Sequence, residues 1–361
     1  MTVPSDTARA WVDIDLGALV ANARTLAEAC GTRLLPMVKA NGYGLGASRV
    51  AAALDVLDPW GFGVATVEEG AALRTSGVSR PILVASPLTD ESLETTLENG
   101  FRPAIGDPAM LVTWTARSAE PFHLEIDTGM GRAGIAWDDP TTLRAAARAL
   151  EFAPGWEGVF THFHSADGDP ASVATQWRRF QAVISALPRR PPLVHAANSA
   201  AALVGGTYAG DLARPGIFLY GGRAGGGAPE PRPVAALRAR VLATRVVAVG
   251  EGVSYGATWR ASRPTTVATL GIGYADGLPR AATLTGGPPR RVEIRGRATP
   301  IVGRVTMDMC MVAVDDGAVS VGDIATIFGG IVSLDEQAAG SGTISYELLT
   351  GLGSRLPRRY R

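Results

Sequence analysis

A single lysine, Lys39, is the residue whose type stands out most for chemistry. The chain holds 34 lysine and arginine residues, and all except Lys39 are arginine. An arginine stays protonated, whereas the pKa of a lysine amine falls readily on burial, so that lysine can supply a neutral amine nucleophile. Lys39 is therefore a candidate for Schiff-base chemistry. Chance survival of one lysine in an arginine-rich chain is the alternative, and the surrounding residues weigh against it.

The segment VKANGYGLG places Lys39 just before a turn with three glycines and Tyr43. Glycines let a backbone approach a bound group closely, and the Tyr43 hydroxyl can reach a phosphate oxygen. An ordinary tight turn with an exposed lysine is equally compatible with this sequence. The segment alone leaves both interpretations open.

The segment EIDTGMGRAG places Arg132 in a glycine-rich turn after Asp127. An arginine held in such a turn suits bidentate contact with a carboxylate or contact with a phenolate oxygen. An ordinary surface turn is the alternative. The position after a predicted strand favours the functional interpretation.

Two later segments could bind an anion. HAANSAA offers the Ser199 hydroxyl at a predicted helix N-terminus, although simple helix capping by Asn198 or Ser199 is compatible with that. RPGIFLYGG places Arg214 ahead of Gly216 and Ile217, whose backbone N–H groups could complete a phosphate cradle.

The histidines and cysteines do not predict a metal site. We expect at most one of His162 and His164 in THFHSAD to point into a site, which makes a metal pair a weak interpretation. Cys30 and Cys310 are too few for a disulfide scaffold or a zinc cluster, and we expect both to be reduced core residues.

Eight short apolar segments alternate with stretches of helical period, which is typical of repeated β and α units. They span residues 34–39, 61–66, 81–86, 101–105, 122–127, 158–163, 193–198 and 212–221. This pattern predicts an α/β fold with a (β/α)8 TIM-type barrel, whose active site lies at the C-terminal strand ends. Five polar residues at or near those predicted ends agree with this rule: Lys39, Asp127, His162, His195 and Asn198.

The pattern changes after the eighth predicted strand. Residues 223–234 predict a Gly/Pro-rich connection, and residues 235–361 are short strands broken by Gly and Asp. We therefore expect a barrel over residues 13–222, followed by a smaller mostly-β C-terminal domain. Residues 1–12 contain the apolar segment RAWV, and we expect this strand to join the β domain.

Composition narrows the class of partner. The formal net charge is zero, with 46% hydrophobic and 19% charged residues, which gives no basic surface for nucleic acid. A small neutral or zwitterionic substrate suits this balance. The opening residues lack a signal-peptide pattern and no apolar run reaches bilayer length, so we expect a cytoplasmic protein without a membrane partner.

Taken together and in this order, these segments resemble alanine racemase, a family of pyridoxal-phosphate-dependent enzymes. The likeness covers the barrel, the connection and the β domain. It implies pyridoxal 5'-phosphate as cofactor, interconversion of L-alanine and D-alanine, and a head-to-tail homodimer. It also implies D-alanine supply for cell-wall precursors, with breakdown of alanine as the open alternative.

The resemblance implies roles for the barrel residues. Lys39 would hold the cofactor as an aldimine. Arg214, oriented by His195, would face the pyridine nitrogen. The implied phosphate ligands are Tyr43, Ser199, Tyr346 and the backbone of Gly216 and Ile217. The other implied cofactor-binding residues are His162, His195 and Asn198.

The resemblance also implies a substrate end shared between two subunits. Arg132 would contact the phenolic oxygen of the cofactor and the substrate carboxylate. Lys39 would exchange the α-proton of the D-enantiomer, and Tyr255 of the partner subunit that of the L-enantiomer. The implied residues around the substrate and its entrance are Thr306, Met307, Asp308 and Tyr274.

Three positions depart from the family pattern. Many members carry a carbamylated lysine where this chain has Glu125, and we expect this glutamate to supply the same negative charge beside Arg132. Leu45 stands where a histidine is usual, and Thr306 where a cysteine is frequent. Neither of the changes at Leu45 and Thr306 removes a catalytic group.

Three other functions remain open from the sequence. The first is a racemase of different or broader specificity, such as one for serine or lysine. The second is a non-catalytic pyridoxal-phosphate carrier on the same barrel, which would not require the β domain. The third is a Schiff-base aldolase acting on a sugar phosphate.

Overall fold

The computed structural model describes residues 7–280, 290–315 and 317–361. Residues 1–6 of the expected N-terminal segment lie outside the described residues, as do residues 281–289 and 316 of the expected β domain.

The first part of the chain alternates strands and helices. Its strands are β1 (Ala10–Ile14), β2 (Arg33–Leu34), β3 (Phe62–Val64), β4 (Ile82–Pro87), β5 (Arg102–Ile105), β6 (Phe122–Asp127), β7 (Ile135–Ala136), β8 (Trp156–Phe160), β9 (Leu193–His195) and β10 (Leu212–Ala213). Its helical segments are α1 (Leu16–Cys30), α2 (Lys39–Tyr43), α3 (Ala47–Leu54), α4 (Val67–Thr75), α5 (Asp90–Glu98), α6 (Pro108–Arg117), α7 (Pro140–Glu151), α8 (Pro170–Ala186) and α9 (Ser199–Leu203).

Eight of these strands close a parallel barrel. The order β3-β4-β5-β6-β8-β9 forms one sheet, and β10 pairs with β2 in parallel. The ring closes on one side through the Met37–Gly63 bridge. On the other side the Arg214 N–H donates to Ala197 O at 2.8 Å. The predicted barrel is thereby confirmed.

Two of the predicted strands are interrupted by a proline. The eighth, predicted over 212–221, ends at Ala213, and residues Ile217–Tyr220 form a 3-10 helix instead. Pro215 explains this end because proline has no N–H to donate to a neighbouring strand. The first, predicted over 34–39, is reduced to Arg33–Leu34 and the Met37 bridge, with Pro36 between them.

The other barrel strands match the predicted positions more closely. The fifth predicted strand has the same bounds as β6, Phe122–Asp127. The sixth ends at Phe160 and the seventh at His195, so His162 and Asn198 lie in the loops just beyond the strands. These loops follow the C-terminal strand ends, where a barrel builds its active site.

Helix α1 packs against the 3-10 helix Ile217–Tyr220, which follows the last barrel strand. Its N-terminus is capped by Asp15, whose side chain accepts from the Ala18 N–H, and it ends at Gly31, which has a φ of 66°. The buried Asn22 amide donates to Leu219 O at 3.3 Å and to Arg232 O at 2.9 Å. This side chain therefore fixes the 3-10 helix that follows Arg214.

The rest of the chain is mostly β. It contains β11 (Ala235–Val247), β12 (Gly252–Val253), β13 (Trp259–Arg260), β14 (Thr265–Leu270), β15 (Arg291–Ile294), β16 (Arg297–Val302), β17 (Cys310–Val314), β18 (Ile324–Phe328) and β19 (Arg358–Tyr360). Its two helices are α10 (Leu334–Gly340) and α11 (Ser345–Thr350). The sheet order is β14-β17-β16-β15-β18-β11-β1-β19, and β14 also pairs with β11.

Strand β1 lies in this second sheet, antiparallel to β11 and parallel to β19. The two cysteines, Cys30 and Cys310, are buried and unbridged. Among the described residues, no helix combines the length and the apolar character that crossing a membrane would need.

Candidate functional site

A cavity of about 320 Å³ opens at the C-terminal ends of the barrel strands. It collects most of the barrel residues named from the sequence. Its lining is Met37, Lys39, Ala40, Tyr43, Leu83, Ala85, Glu125, Arg132, Phe160, His162, Asn198, Ser199, Arg214, Gly216, Ile217, Tyr346 and Thr350. The volume lies in the range of pockets that hold small ligands.

Lys39 begins an unusual left-handed turn, α2. Ala40, Asn41 and Tyr43 have φ values of 51°, 54° and 53°, and the Gly44 N–H donates to Ala40 O at 2.8 Å. The left-handed conformation costs about 1–2 kcal/mol for each L-residue, so surrounding contacts must hold it. Backbone strain of this kind is typical of functional sites.

Glu69 provides one of those contacts, and this role was not predicted from the sequence. Its carboxylate accepts from the Ala40 N–H at 2.6 Å and from the Ala65 N–H at 2.8 Å. Glu69 lies in the first turn of α4, where an acidic residue normally indicates helix stabilisation. Its position in the sequence therefore does not indicate a contact with the Lys39 turn.

The Lys39 amine is tuned by its surroundings. Burial lowers its pKa from the ordinary value, the positive charge of Arg132 lowers it further, and the charge of Glu69 opposes both. The net direction is downward. A lowered pKa raises the fraction of neutral amine, which is the form that attacks a carbonyl.

Arg214 is buried at the floor of the cavity, with 6% of its surface exposed. Its Nη1 lies 2.6 Å from His195 Nδ1, and its Nη2 donates to Thr161 O at 2.7 Å. Burial lowers its pKa to about 10, against the charge of Glu125, so the guanidinium stays positive at neutral pH. His195 in turn contacts a second buried imidazole, His123.

The two histidines of THFHSAD lie in the loop beyond the strand Trp156–Phe160, where strand alternation does not apply, and their side chains separate. His162 lines the cavity with its Nδ1 3.5 Å from Arg214 Nη2. Burial, followed by the charges of Arg214 and Arg132, lowers its pKa to about 3. His164 instead contacts the Ser165 hydroxyl at 2.7 Å. In the part of the chain that the structure describes, no group of three His, Cys, Asp or Glu side chains could hold a metal ion.

One corner of the cavity is built from hydroxyl groups and glycine. The ring of Tyr43 stacks on Tyr220, with centroids 4.3 Å apart. Burial raises the pKa of Tyr43, and burial raises that of Tyr346 to about 12, so both hydroxyls stay protonated. A Cβ at Gly216 would clash with the Tyr43 hydroxyl oxygen. The Ser199 Oγ accepts from the Gly216 N–H at 2.8 Å.

Asn198 caps the short helix α9. Its side-chain oxygen accepts from the Ala201 N–H at 3.1 Å. The capping interpretation therefore holds for Asn198, which also lines the cavity beside Ser199.

Glu125 is buried in the cavity wall, with 4% of its surface exposed. Its Oε2 has no hydrogen-bond partner among the residues that the structure describes. Burial raises its pKa, while the charges of Arg132 and Arg214 act in the opposite direction. Glu125 and the exposed Arg132 line the same cavity, where their opposite charges act on each other.

The β-domain residues expected at the substrate end lie away from the barrel cavity of their own chain. Tyr255, Met307 and Tyr274 have 68%, 52% and 41% of their surfaces exposed. Tyr255 and Thr306 line a separate cavity of about 530 Å³ in the β domain. An exposed group of large apolar side chains of this kind is typical of an interface.

Asp308 has a contact that the sequence did not indicate. Its carboxylate pairs with Arg355 at 2.9 Å and with Arg9 at 3.5 Å. Arg9 and Arg355 also pair with the buried Asp276 in the turn of Tyr274. The ion pairs therefore join the loops of Asp308 and Tyr274 to each other.

Comparisons with known proteins identify the family. Residues 14–224 match the alanine racemase N-terminal domain, and residues 234–360 match the alanine racemase C-terminal domain. The chain belongs to the alanine racemase family. An alanine racemase of Deinococcus radiodurans is 42% identical over 364 residues, covering 97% of this chain and 99% of the relative. One of Acidiphilium cryptum is 38% identical, covering 96% of this chain and 97% of the relative.

Solved alanine racemase structures share the whole fold. The alanine racemase of E. faecalis superposes with a TM-score of 0.89 at 32% identity, and the match covers 100% of both chains. The alanine racemase of Bartonella henselae, which contains covalently bound pyridoxal phosphate, gives a TM-score of 0.90 at 31% identity, covering 98% of this chain and 100% of that one. The family resemblance is confirmed, and with it the expected class, a pyridoxal-phosphate-dependent racemase.

Proposed function

We propose that this chain interconverts L-alanine and D-alanine with pyridoxal phosphate by a two-base reaction, in which Lys39 and Tyr255 of the partner subunit move the α-proton. The observation that supports this most directly is the position of the single lysine. Its amine borders a cavity that also contains Arg132 and Arg214. The family supplies the reaction class, and these residues supply the chemistry that the reaction needs.

The cavity fits the phosphate group of pyridoxal phosphate. The hydroxyls of Tyr43, Ser199 and Tyr346 border one corner. The 3-10 helix Ile217–Tyr220 begins at the same corner. The N–H groups of Gly216 and Phe218 donate to Ser199 Oγ at 2.8 and 3.4 Å, which holds the Ser199 hydroxyl against the start of this helix. Because a side chain at Gly216 would meet Tyr43, glycine keeps this corner open. Hydroxyl and backbone donors around an open space suit a phosphate.

The two arginines suit the ring of the same cofactor. We propose that Arg214 faces the ring nitrogen and that Arg132 contacts the phenolic oxygen and the substrate carboxylate. Pyridoxal phosphate, when bound, withdraws electrons from the α-carbon of the attached amino acid. Because an arginine only donates hydrogen bonds, Arg214 would donate to the ring nitrogen and would leave it without a proton of its own. Arg214 would thereby moderate that withdrawal and favour return of the proton over transamination.

Racemisation requires proton exchange on both faces of the α-carbon, so two acid–base groups must flank it. Lys39 is one, since burial and the charge of Arg132 lower the pKa of its amine and so increase the share of the neutral form that takes up a proton. We assign the other face to the hydroxyl of Tyr255 of the partner subunit. The exposure of Tyr255 in the single chain supports this assignment, because the residue is available to a second copy.

The working unit that follows is a head-to-tail homodimer. We propose that the barrel of residues 13–222 binds the cofactor, and that the β domain of residues 235–361, reached through the connection 223–234, completes the partner's site. Thr306, Met307 and Asp308 would then shape the substrate end and Tyr274 its entrance. We also propose a cytoplasmic location, which two buried, unbridged thiols support.

Glu125 is expected to supply the negative charge beside Arg132. The Glu125→Gln variant keeps the shape but loses that charge, so we expect kcat/KM for alanine to fall by roughly tenfold, the equivalent of one unit of pKa. Because burial raises the pKa of Glu125, activity that depends on its carboxylate declines as pH falls through that raised pKa. The Glu125→Gln variant should lose this part of the pH–rate profile.

The matched control for this prediction is Glu151→Gln, a change of the same charge at an exposed position at the end of α7. It should leave the pH–rate profile unchanged. Unaltered turnover and substrate affinity in Glu125→Gln would show that the glutamate does not act on Arg132.

The direct test of the proposed function is an assay of the purified holoenzyme. L-alanine should yield D-alanine, and D-alanine should yield L-alanine, with L-serine and L-lysine turned over far more slowly. Faster conversion of another amino acid would reassign the substrate. A protein with bound pyridoxal phosphate but no racemisation of any amino acid would overturn the proposal.

A further inference from the structure

A line of hydrogen-bonded side chains runs from the cavity to the opposite end of the barrel. Arg214 Nη1 lies 2.6 Å from His195 Nδ1, and His195 Nε2 lies 2.7 Å from His123 Nδ1. His123 Nε2 lies 3.2 Å from Glu157 Oε2, which also accepts from Arg102 Nε at 3.4 Å. Glu157 is the second residue of β8 and Arg102 the first of β5, so the line ends at the N-terminal strand ends.

The chemistry of the two ends sets the direction of every hydrogen bond between them. Arg214 can only donate, so His195 Nδ1 must accept and its proton sits on Nε2. That Nε2–H donates to His123 Nδ1, which places the His123 proton on its own Nε2. The carboxylate of Glu157 accepts this last proton. The opposite direction would set an N–H of His195 against an N–H of Arg214.

Burial keeps both imidazoles neutral, as this pattern requires. His123 and His195 have 0% of their surfaces exposed. Burial lowers the pKa of each below the ordinary histidine value, and for His123 the contact with Glu157 opposes this only in part. Burial raises the pKa of the Glu157 carboxyl. The hydrogen bond from His123 and the charge of Arg102 lower it by more, so the pKa lies below the ordinary value. The carboxylate therefore remains an acceptor.

Packing around His195 leaves little freedom for a different arrangement. The Phe160 ring stacks on His195, with centroids 5.1 Å apart and planes 12° apart. The guanidinium carbon of Arg214 lies 5.0 Å from the centroid of the same ring. A rotation of His195 would disturb its stacking on Phe160. His195 at Nη1, with Thr161 O and Ala196 O at Nη2, therefore sets where Arg214 points.

We propose that Glu157 and His123 are positioning residues for Arg214. They hold His195 in the tautomer that accepts from Arg214, and the guanidinium thereby keeps its direction into the cavity. Neither residue lines the cavity, so they act only through His195. The inference rests on the proposed function, in which Arg214 faces the ring nitrogen of pyridoxal phosphate.

The tautomers can be read directly by NMR of the full-length holoenzyme labelled with ¹⁵N-histidine. The chain has only four histidines, so the signals can be assigned by single substitutions. At neutral pH we expect His123 and His195 each to carry one proton, on Nε2, with Nδ1 unprotonated. A proton on Nδ1 of either residue, or a doubly protonated His123, would overturn the inference without any variant.

Two variants of Glu157 separate positioning from general stability. Glu157→Gln keeps an acceptor oxygen and should retain both tautomers and most of kcat. Glu157→Leu removes the acceptor; we expect altered His123 and His195 signals and a fall in kcat of about ten- to a hundredfold, with a much smaller change in KM, because misplacing a catalytic group by about 1 Å is that costly.

The outcomes distinguish this inference from the proposed function. An active Glu157→Leu variant with wild-type kcat and tautomers would refute the positioning role, and so would equal damage in Glu157→Gln. Absence of racemisation in the wild-type protein counts against the proposed function alone, since the histidine signals do not depend on turnover.

Discussion

The Lys39→Arg variant is expected to lose at least about a thousandfold in racemase turnover, a loss within the range that one acid–base group contributes. Arginine keeps the positive charge but supplies neither a neutral amine for the cofactor aldehyde nor a group that exchanges protons near neutral pH. The variant should also lose its covalent attachment to pyridoxal phosphate. Turnover of L-alanine and the absorption of the dialysed protein measure both effects.

The natural control for this variant is a second lysine placed elsewhere. Arg148 is exposed on α7, so the double variant Lys39→Arg/Arg148→Lys restores the single lysine at a different site. We expect it to be as inactive and as colourless as Lys39→Arg. A yellow and fully active Lys39→Arg variant would refute the role given to Lys39.

Two inactive variants are expected to restore activity when their subunits combine. In a homodimer that shares its sites, Lys39→Ala lacks the barrel base and Tyr255→Phe lacks the base supplied to the partner. A mixed dimer has one site with both bases intact and one with neither. Random pairing of equal amounts should therefore give about a quarter of the wild-type activity, since half of the dimers are mixed.

Co-expression of the two variants with different affinity tags allows the mixed dimer to be isolated and assayed. Each variant expressed with both tags is the control and should stay inactive. If Tyr255 acted on its own subunit, every site of the mixed dimer would lack one base. The mixed dimer would then be as inactive as the controls, and the shared site would be wrong.

The barrel was predictable because its strands are continuous apolar segments between helical stretches. The bounds of Phe122–Asp127 agree with the prediction because nothing in FHLEID interrupts the ladder. The prediction for the eighth strand was too long because the residues of IFLY favour strands. The strand ends before Pro215, and IFLY forms a 3-10 helix. The apolar character of IFLY predicted a longer strand, but the missing N–H of Pro215 ends the strand at Ala213.

The conformation of the Lys39 turn could not be predicted from its own letters. Ala40, Asn41 and Tyr43 are L-residues that normally avoid positive φ, and they adopt it where Glu69 accepts the Ala40 N–H. That contact joins residues 29 positions apart in the chain. Local propensity cannot report such a contact, whereas the type of Lys39 and the nearby glycines still indicated a functional turn.

The line of hydrogen-bonded side chains from Arg214 to Glu157 could not be predicted from the sequence for a similar reason. His123 occurs within a predicted strand and Glu157 just before one, and alternation does not say which strand residues meet across a barrel. The pairing of Gly158 with His123 brings the imidazole beside Glu157. The absence of a side chain at Gly158 leaves room for this ring, because a Cβ there would lie 2.7 Å from His123 Nδ1.

Mass spectrometry of the borohydride-reduced holoenzyme tests the central claim most directly. Reduction fixes the cofactor on the amine that holds it, and digestion then locates the adduct. A phosphopyridoxyl group on Lys39, with none at the chain's amino terminus, is the expected result. Bound cofactor that leaves Lys39 unmodified after reduction would contradict the account.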